Sequence, residues 1–391
     1  MIRAKRMDSL SAGIFNEMEE RKKRVEARGL EVINIGVGSP DLPPAPHIIE
    51  ALRRAVEKPR NYTYPLVALR SLRLAVAERY KKRFNVDLEP GTEVLELIGS
   101  QDGLAHLAMA YVDPGDVALV PDPGYPIYGF GILLAGGKMY PVPLLPENGF
   151  LPDFDAIPVE VARRAKMIWL NYPNNPAAAI ADREFFGRAV EFARRYGILV
   201  CHDVAYAELA YDGFKPVSFL ETPGAKEVGV EFFSLSKTYN MAGCRLGFAV
   251  GNAGVLADLA LIKSNIDYGV FYAVQEAGVA ALSGPQDCVA ETAAIYQKRR
   301  DVLVDGLAAL GWSMPKPQAS MFVWAPLPPG CSDSAGFAAD LLEKAGVIVI
   351  PGVAFGQRGE GYVRIALVKA EKVLSEVVRR VGENFRFKSY Y

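Results

Sequence analysis

The sequence predicts an α/β protein with a large domain built on a mostly parallel, doubly wound sheet and a second, smaller α/β domain. Short apolar runs rich in β-branched residues alternate with amphipathic stretches, and the runs are apolar throughout, as in strands buried on both faces. After about Gln286 the pattern changes to long helical stretches between a few strand-like runs. We therefore expect a large domain over residues 41–289, and a small domain that combines residues 1–40 with 290–391.

The strands predicted for the large domain are, in chain order, VLELIG from Val94, VALVP from Val117, KMIWLN from Lys166, ILVCHD from Ile198, VEFFSLS from Val230 and CRLGFAV from Cys244. Helical stretches separate most of them. One follows Gly103, and another, REFFGRAVEFARRYG, ends at Gly197, because glycine readily adopts the left-handed conformation that closes a helix. This alternation is typical of a parallel sheet with helices on both faces.

The two ends of the chain supply the elements of the small domain. We expect a charged amphipathic helix from Ser11 to Gly29, packed against that domain. A long helical pattern ends at Gly311, and the strand-like run MFVWAPL starts at Met321. A helix through DLLEKAG, the strand-like runs VIVIPG and YVRIAL, and a last helix, KAEKVLSEVVRRVG, complete this part.

Composition and charge exclude several classes of protein. The 391 residues carry 44 Lys and Arg against 45 Asp and Glu, so the net charge of −1 gives no reason to expect nucleic-acid binding. The N-terminus lacks the apolar core of a signal peptide, and no apolar run reaches about 18 residues, the length of a membrane span. The four cysteines form no CxxC pair, and the three histidines have no metal-ligand spacing. We expect a cytoplasmic protein with reduced thiols and without a metal, membrane or nucleic-acid partner.

Lys237 is the residue on which the functional prediction depends. It follows an apolar strand run, within a short polar turn of the segment FFSLSKTYNMAGCRLGF. Ser234, Ser236 and Arg245 flank it, and two hydroxyls with a fixed cation are the groups that a phosphate requires. One interpretation is a lysine that forms a Schiff base, and the other is an ordinary solvated loop lysine.

Further polar residues follow other predicted strands, at the edge where the ligand crevice of an open α/β sheet lies. Asp203 ends the ILVCHD run and can pair with a pyridinium nitrogen, while the phenol of Tyr206 can contact a phenolate oxygen. In IGSQDG, the backbone N–H groups of Ser100 and Gln101 would point towards an anion. Taken alone, Asp203 is equally well explained as a cap of the next element, and IGSQDG as a routine turn.

Three more motifs complete the set. Tyr125 in PDPGYP lies at a strand end, where its ring can stack on a planar cofactor. Asn174 and Asn175 in NYPNNP follow another strand, and Asn175 can donate to a carboxylate or a phenolate. Arg364 interrupts the apolar run YVRIAL, so it is either half of a structural ion pair or a bidentate clamp for an α-carboxylate. Together these groups fit pyridoxal 5′-phosphate and an amino acid, although both loop motifs also occur in ordinary turns.

The same motifs occur in the same order in a known family. SLSKTYNMAGCRLGF, DPGYP, NYPNNP, HDVAY and YVRIAL resemble the class I and II aminotransferases, the aspartate aminotransferase superfamily of pyridoxal-phosphate enzymes. Within it the chain looks most like the bacterial LL-diaminopimelate aminotransferases, through ENGFLPDFDAIP, GPQDC and KSNID. The resemblance implies the aspartate-aminotransferase fold, a homodimer, and ping-pong transfer of an amino group from an amino acid, here LL-diaminopimelate, to a 2-oxo acid such as 2-oxoglutarate.

The resemblance also implies a role for each motif residue. Lys237 would bond to the cofactor and move the proton, and Asp203 would keep the pyridine nitrogen protonated. The residues implied to contact the cofactor ring are Tyr125, Asn175 and Tyr206. Those implied to hold its phosphate are Ser100, Gln101, Ser234, Ser236 and Arg245, with Tyr64 from the neighbouring subunit. The substrate carboxylate would be bound by Arg364 and Asn175, assisted by backbone near Gly38.

Several positions depart from the family pattern and leave the substrate open. They are Ala177 and Ala178 where Thr and Gly are usual, Ala68 for Gly, Cys244 for Trp, and, against the diaminopimelate subgroup, Phe233 for His, Tyr268 for Ser, and Gln101 and Asp102 for Lys and Glu. Apolar replacements such as Phe233 and Tyr268 favour a bulkier or more apolar amino acid as the rival substrate. If the replaced glycine has a positive φ, alanine costs about 1 kcal/mol.

Three alternatives to an aminotransferase stay open at this point. A C–S β-lyase on the same fold would use the same lysine and arginine. A non-catalytic regulator would carry an added DNA-binding domain, for which this near-neutral chain has no room. A pseudoenzyme would keep the fold without turnover.

Overall fold

The structure is a computed structural model that describes residues 4, 7 and 13–387. Its strands are β1 (Ile33–Asn34), β2 (Val94–Ile98), β3 (Val117–Asp122), β4 (Lys138–Pro143), β5 (Ala165–Asn171), β6 (Leu199–Asp203), β7 (Gly229–Ser234), β8 (Leu246–Gly251), β9 (Phe322–Pro326), β10 (Val347–Ile348), β11 (Ile350–Pro351) and β12 (Tyr362–Ala366). Its helices are α1 (Gly13–Ala27), α2 (Pro46–Val56), α3 (Arg70–Phe84), α4 (Ser100–His106), α5 (Ala108–Tyr111), α6 (Ile127–Ala135), α7 (Val159–Ala162), α8 (Arg183–Tyr196), α9 (Ala225–Val228), α10 (Leu235–Thr238), α11 (Ala253–Ile266), α12 (Tyr272–Ser283), α13 (Asp287–Ala309), α14 (Ser334–Ala345) and α15 (Glu371–Asn384).

Within the described residues, seven strands form one sheet in the order β2-β8-β7-β6-β5-β3-β4. Neighbouring strands are parallel except at β8, which is antiparallel to both β2 and β7. Successive residues of a strand enter different apolar cores: Ile168 and Leu170 pack in one, and Met167 and Trp169 in the other. Both faces of the sheet are therefore buried, and the predicted mostly parallel, doubly wound sheet is confirmed.

Two details of this sheet differ from the prediction. Strand β4 was not expected: it lies at the edge of the sheet, and most of its KMYPVP residues are exposed. An edge strand with two prolines has no continuous apolar run that would reveal it. Strand β8 begins at Leu246 rather than at Cys244, because Cys244 lies in a short 3-10 helix and Arg245 has a left-handed φ of 53°.

The ends of α8 follow the predicted helix signals. At its start, the carboxylate of Asp182 accepts a hydrogen bond from the Phe185 N–H at 2.8 Å. At its end, Gly197 has a φ of 69° and closes the helix, as expected. Gly311, predicted to end the long helix α13, likewise has a positive φ of 94°.

The remaining strands form smaller sheets beside the large one. Strand β1 pairs with β10, and β11, β12 and β9 form an antiparallel sheet in that order. A separate apolar core, which includes Trp312, Met321 and Leu374, joins these strands to α13, α14 and α15. The predicted domain boundary between residues 289 and 290 falls in the first turn of α13, and the division into two domains stays a prediction.

Helix α1 packs against this second group of elements. Its residues Met18 and Val25 share an apolar cluster with Leu342 of α14 and Ile348 of β10. The predicted helix from Ser11 to Gly29 thus corresponds to Gly13–Ala27, and Ser11 lies outside the described residues. None of the described helices combines the length and the apolar character needed to cross a bilayer.

Candidate active site

A cavity of about 1450 Å³ lies at the carboxyl ends of β3, β6 and β7 and is bounded on its far side by residues of β9 and β12. This is the edge of an open α/β sheet at which ligands bind. The site residues predicted from the sequence that line it are Gly38, Ser100, Gln101, Tyr125, Asn175, Asp203, Tyr206, Ser234, Ser236, Lys237, Arg245 and Arg364. Tyr64, which was expected to serve the neighbouring subunit, is not part of this lining.

Lys237 lies in α10, immediately after β7, and its side chain reaches across the cavity. Its Nζ donates a hydrogen bond to the carbonyl oxygen of Gly38 at 2.8 Å. Burial lowers the pKa of Lys237 to about 8, with the positive charges of Arg364 and Arg245 acting in the same direction. The amine therefore loses its proton near pH 8, far below an ordinary lysine, so a part of it is neutral at physiological pH, as a nucleophile or a proton carrier requires.

We expect Lys237 in the cofactor-free protein to react with aldehydes in a way that reports this pKa. The rate of modification should rise about tenfold per pH unit below pH 8 and level off above it, because only the neutral amine attacks. The measurement is reductive alkylation at several pH values, followed by peptide mapping of Lys237. Nα-acetyl-lysine, whose side-chain amine is free, is the control, and its rate of modification should keep rising to about pH 10. A Lys237 profile that matches this control would show that burial does not activate the amine.

Asp203 ends β6 and is 5% exposed. One carboxylate oxygen accepts a hydrogen bond from the Tyr128 hydroxyl at 2.9 Å, and the other accepts from the Ala205 N–H at 3.1 Å. Burial raises the pKa of Asp203, and these two hydrogen bonds offset part of the rise. Among the described residues, no cationic side chain hydrogen-bonds to this carboxylate, so its position suits a ligand that brings a protonated nitrogen.

Tyr128 is a functional residue that the sequence analysis missed. It lies in α6, it is fully buried, and its ring stacks on Trp169 with centroids 5.3 Å apart. Its role follows from a contact between residues 75 positions apart, Tyr128 and Asp203. The only signal in the sequence is a second tyrosine three residues after Tyr125.

A group of hydroxyl and cationic side chains lies at the end of the cavity nearest α4. The Ser234 hydroxyl accepts from the Ser236 N–H at 3.1 Å, and Arg245 anchors one end of its guanidinium on the Ala242 carbonyl at 3.1 Å. A side chain at Gly247 would come within 2.6 Å of the Ser100 nitrogen, so this glycine allows β8 to approach the first turn of α4. The arrangement provides donors that suit a phosphate.

Arg364 lies at the opposite side of the cavity, on β12. Its guanidinium donates to the Asn175 side-chain oxygen and to the Gly36 carbonyl, both at 2.8 Å. The rings of Phe322 and Phe355 lie 4.1 and 4.6 Å from it. Burial lowers its pKa to about 10, and its Nε has no hydrogen-bond partner in the described part of the protein. No carboxylate there pairs with it, so the structural ion pair considered above is absent and an acidic ligand remains the fitting partner.

Replacing Arg364 with alanine should raise KM for amino-acid substrates about 30-fold or more while cofactor binding survives. Truncating one partner of a buried, hydrogen-bonded charge pair costs about 2–5 kcal/mol, and each 1.4 kcal/mol is about tenfold. Steady-state kinetics and cofactor absorbance measure the two effects. Arg364→Lys is the matched variant, which keeps the charge but loses the bidentate fork. If cofactor content falls while KM holds, Arg364 is structural.

Hydrogen bonds to neighbouring side chains hold Asn175 and Tyr125, two of the residues that line the cavity. The Asn171 side chain accepts from the Asn175 N–H at 2.7 Å and donates to the Asp203 carbonyl at 2.8 Å, so it ties the ends of β5 and β6 together. Tyr125 donates its hydroxyl to Gln101 at 3.2 Å. Burial raises the pKa of Tyr206, as does Asp203, so its phenol is a proton donor at neutral pH.

The positions that depart from the family pattern differ in what they affect. Phe233 lies in the apolar core beside Tyr80, with ring centroids 6.2 Å apart, and does not line the cavity, so a direct contact with the substrate is not among its interactions. Cys244 also lies outside the lining. Ala178 has a φ of 55°, as the replacement of a glycine suggested, whereas Ala68 is not among the residues with positive φ.

Ala178→Gly should stabilise the protein by about 0.5–1 kcal/mol, because the left-handed conformation is strained for alanine and free of strain for glycine. Thermal or urea unfolding measures the change. The neighbouring Ala177→Gly is a matched control with the opposite expected sign, since Ala177 lacks a positive φ and packs with Trp324 and Phe355. Equal effects of the two substitutions would contradict this account.

Tyr64 lies on an exposed apolar surface. It is 75% exposed, and its ring meets that of Tyr268, 56% exposed, edge-on at 5.3 Å. Tyr62 and Phe271 form a second ring pair beside it, with centroids 5.4 Å apart. Leu66, 69% exposed, extends this surface. Contiguous exposed apolar patches on proteins commonly mark interaction sites, so we expect a partner to contact this surface.

The chain is similar to known proteins over nearly its whole length. Residues 31–381 match the family model described as aminotransferase class I and II. The LL-diaminopimelate aminotransferase of Moorella thermoacetica is 52% identical over 382 residues, which is 97% of this chain and 98% of that protein. The protein of the same name from Syntrophobacter fumaroxidans is 51% identical over 381 residues, 97% of this chain and 98% of its own.

Two solved structures have a similar fold. Substrate-bound BacF from Bacillus subtilis has a TM-score of 0.95 and 39% identity, with all of both chains covered. A probable N-succinyldiaminopimelate aminotransferase from Thermus thermophilus has a TM-score of 0.90 and 39% identity, over 95% of this chain and 100% of that one. Because these structures match 95% or more of this chain, they confirm the predicted fold class for the chain as a whole.

Proposed function

The chain belongs to the class I and II aminotransferase family, whose members depend on pyridoxal 5′-phosphate, and we propose that the cavity beside Lys237 is the site where this cofactor and the amino acid bind. The protein is an aminotransferase, an enzyme that moves an amino group. The observation that carries the proposal is the charge pattern of the cavity. It presents Arg245 and Arg364 at two sides, a lysine of lowered pKa, and the buried carboxylate of Asp203.

This pattern is complementary to the cofactor and its substrate. The donors near Arg245 suit the phosphate, Asp203 suits the pyridine nitrogen, and Arg364 suits the α-carboxylate of the amino acid. Among the residues that the structure describes, the Nε of Arg364 has no hydrogen-bond partner and the carboxylate of Asp203 has no cationic partner. The substrate carboxylate would satisfy the first group, and the protonated pyridine nitrogen would satisfy the second. The residues that line the cavity therefore fit pyridoxal 5′-phosphate and an amino acid.

Each residue contributes a defined part of the chemistry. When bound, the cofactor supplies an aldehyde and an electron-withdrawing ring that makes the Cα–H of the attached amino acid acidic. Lys237 Nζ, with its pKa near 8, would hold the aldehyde until the amino acid displaces it. The freed amine would then take the proton from Cα and give it to the former aldehyde carbon of the cofactor. Asp203, oriented by Tyr128, would hold the proton on the ring nitrogen. Arg364 and Asn175 orient the substrate through its carboxylate.

The test combines trapping with an assay. Borohydride should fix the cofactor to a peptide that contains Lys237, and amino acid plus 2-oxo acid should exchange their amino group. Label on another lysine, or on none, would contradict the site. Release of pyruvate from cystathionine without transamination would identify a C–S β-lyase instead, and bound cofactor without either activity would identify a pseudoenzyme.

The names of the relatives make LL-diaminopimelate the amino donor to propose, with 2-oxoglutarate as acceptor in a ping-pong cycle. Tyr268 supports the rival, a bulkier or more apolar amino acid, if the partner subunit brings this ring to the site. The deciding measurement is kcat/KM for LL-diaminopimelate against aspartate, alanine, tyrosine and methionine. A value for diaminopimelate well below any of the others would exclude it as the preferred donor.

We also propose a homodimer in which Tyr64 completes the partner's phosphate site. The exposed aromatic residues around Tyr64 and Tyr268 support it, because such a surface is normally covered. An active monomer by light scattering would contradict it. All four cysteines are free thiols, which supports the proposed cytoplasmic location.

A further inference from the structure

Lys263 is a buried lysine that the proposed chemistry does not use. It lies in the last turn of α11 and is 5% exposed. Its ammonium donates to the carboxylate of Asp102 and to both oxygens of Asp267, at 2.9 and 3.1 Å. A buried lysine with two carboxylate partners is held in one position, because its charge has no access to water.

Asp102 connects this lysine to the cofactor-phosphate end of the cavity. It lies in the first turn of α4, directly after Ser100 and Gln101, and its side chain is 5% exposed. Besides Lys263, it accepts from the Ile98 N–H at 2.8 Å and contacts His106 Nδ1 at 2.8 Å. Burial raises the pKa of Asp102, but the hydrogen bond with His106 and the charge of Lys263 outweigh this and keep the pKa below its ordinary value. Asp102 is thus an ionised anchor that fixes the start of α4.

Asp267 connects the same lysine to the exposed aromatic surface. Its carboxylate accepts from the Gly269 N–H at 3.1 Å, which shapes the turn that carries Tyr268. Gly269 has a φ of 115°, and a side chain there would come within 2.9 Å of the Pro65 carbonyl, so the turn packs closely on residues 62–68, here called the 62–68 loop. Tyr268 then meets Tyr64 of this loop edge-on.

We propose that Lys263 is a positioning residue that couples the cofactor-phosphate site of a subunit to its 62–68 loop, and through that loop to the second subunit. The chain of contacts runs from α4 through Asp102, Lys263 and Asp267 to Tyr268 and Tyr64. Cofactor phosphate that holds α4 in place then also holds the loop in place for the partner. Coupling of this kind is reciprocal, so dimerisation must tighten cofactor binding by the same factor. The inference rests on the proposed cofactor site and homodimer.

The metal-binding alternative for this cluster is not favoured. Ligand atoms of Asp102, His106 and Asp267 lie within 4.8 Å of one another. Both carboxylates, however, already bind the Lys263 ammonium, whose positive charge occupies their oxygens and repels a metal cation.

The experiment measures the dimer dissociation constant of the full-length protein with and without pyridoxal 5′-phosphate. In the wild-type protein the cofactor should tighten the dimer about 5- to 150-fold, the usual size of coupling between sites. Lys263→Met should lower this ratio markedly, leaving only the part due to direct contact of Tyr64 with the partner's phosphate, and Lys263→Arg should restore part of the loss. The matched control is Arg79→Met, which removes another largely buried ion pair, with Glu208, and should lower thermal stability while the ratio stays at the wild-type value.

The outcomes separate the inference from the proposed function. A wild-type protein that binds no cofactor, or that stays monomeric, refutes the proposed site or dimer. A wild-type dimer whose affinity does not respond to cofactor, or a Lys263→Met variant that keeps the full ratio, refutes the coupling alone. If Lys263→Met does not fold, Asp267→Asn replaces it, because the amide oxygen can still accept from the Gly269 N–H while the charge is lost.

Discussion

Replacing Lys237 with alanine is expected to lower kcat for transamination by at least about 10²- to 10⁴-fold, the contribution of a positioned acid–base group alone. The loss should be larger still because the same amine is proposed to hold the cofactor aldehyde. Folding should be unaffected: burial lowers the pKa of Lys237, so the charged amine is a cost to the folded protein that alanine removes. Single-turnover kinetics and thermal unfolding give the two numbers.

Lys237→Arg is the matched control for this prediction. Arginine keeps a positive charge at the end of a long side chain but does not give up its proton at physiological pH. If Lys237 acted only as a cation near the Gly38 carbonyl, the arginine variant would retain turnover. We expect it to be as inactive as the alanine variant. Activity within tenfold of wild type in either variant would contradict the assigned role.

The sequence alone predicts the central sheet because the signal is local. Strands such as β5 and β6 are buried on both faces, so each contains a short apolar run and ends in a polar residue, Asn171 or Asp203. Since parallel strands end at one edge, residues that follow them meet in one place, and twelve of the predicted site residues line one cavity. Strand β4 could not be predicted in this way, because it is exposed at the edge of the sheet and lacks a continuous apolar run.

The parts that sequence reasoning missed depend on contacts between distant residues. Tyr128 of α6 donates a hydrogen bond to Asp203 at the end of β6, and Phe322 and Phe355 enclose Arg364 from two separate segments. Nothing in the local pattern marks these aromatic residues apart from others in the core. Phe233 directly precedes Ser234, which lines the cavity, but the alternation of β7 turns the Phe233 side chain into the core beside Tyr80.

Asp203→Asn should separate catalysis from folding in the same way. Asparagine has nearly the same shape and can still accept from the Tyr128 hydroxyl or the Ala205 N–H, but it carries no charge. An adjacent carboxylate shifts the pKa of a basic group by about 1–3 units, so its loss should lower the protonated fraction of the cofactor nitrogen, and with it kcat, about 10- to 1000-fold at neutral pH.

The pH dependence distinguishes this role from a structural one. Without the carboxylate the ring nitrogen gains its proton only in more acidic solution, so the deficit in kcat of Asp203→Asn relative to wild type should shrink as the pH falls.

The substitution should not reduce the stability of the folded protein at neutral pH. Because burial raises the pKa of Asp203, the folded protein binds a proton at this site more tightly than the unfolded chain does, and stability from this group is lost as the pH rises through that raised pKa. The cofactor-free asparagine variant should therefore be at least as stable as wild type at neutral pH. A variant that is less stable but turns over normally would mean that Asp203 supports the fold of β6 rather than the reaction.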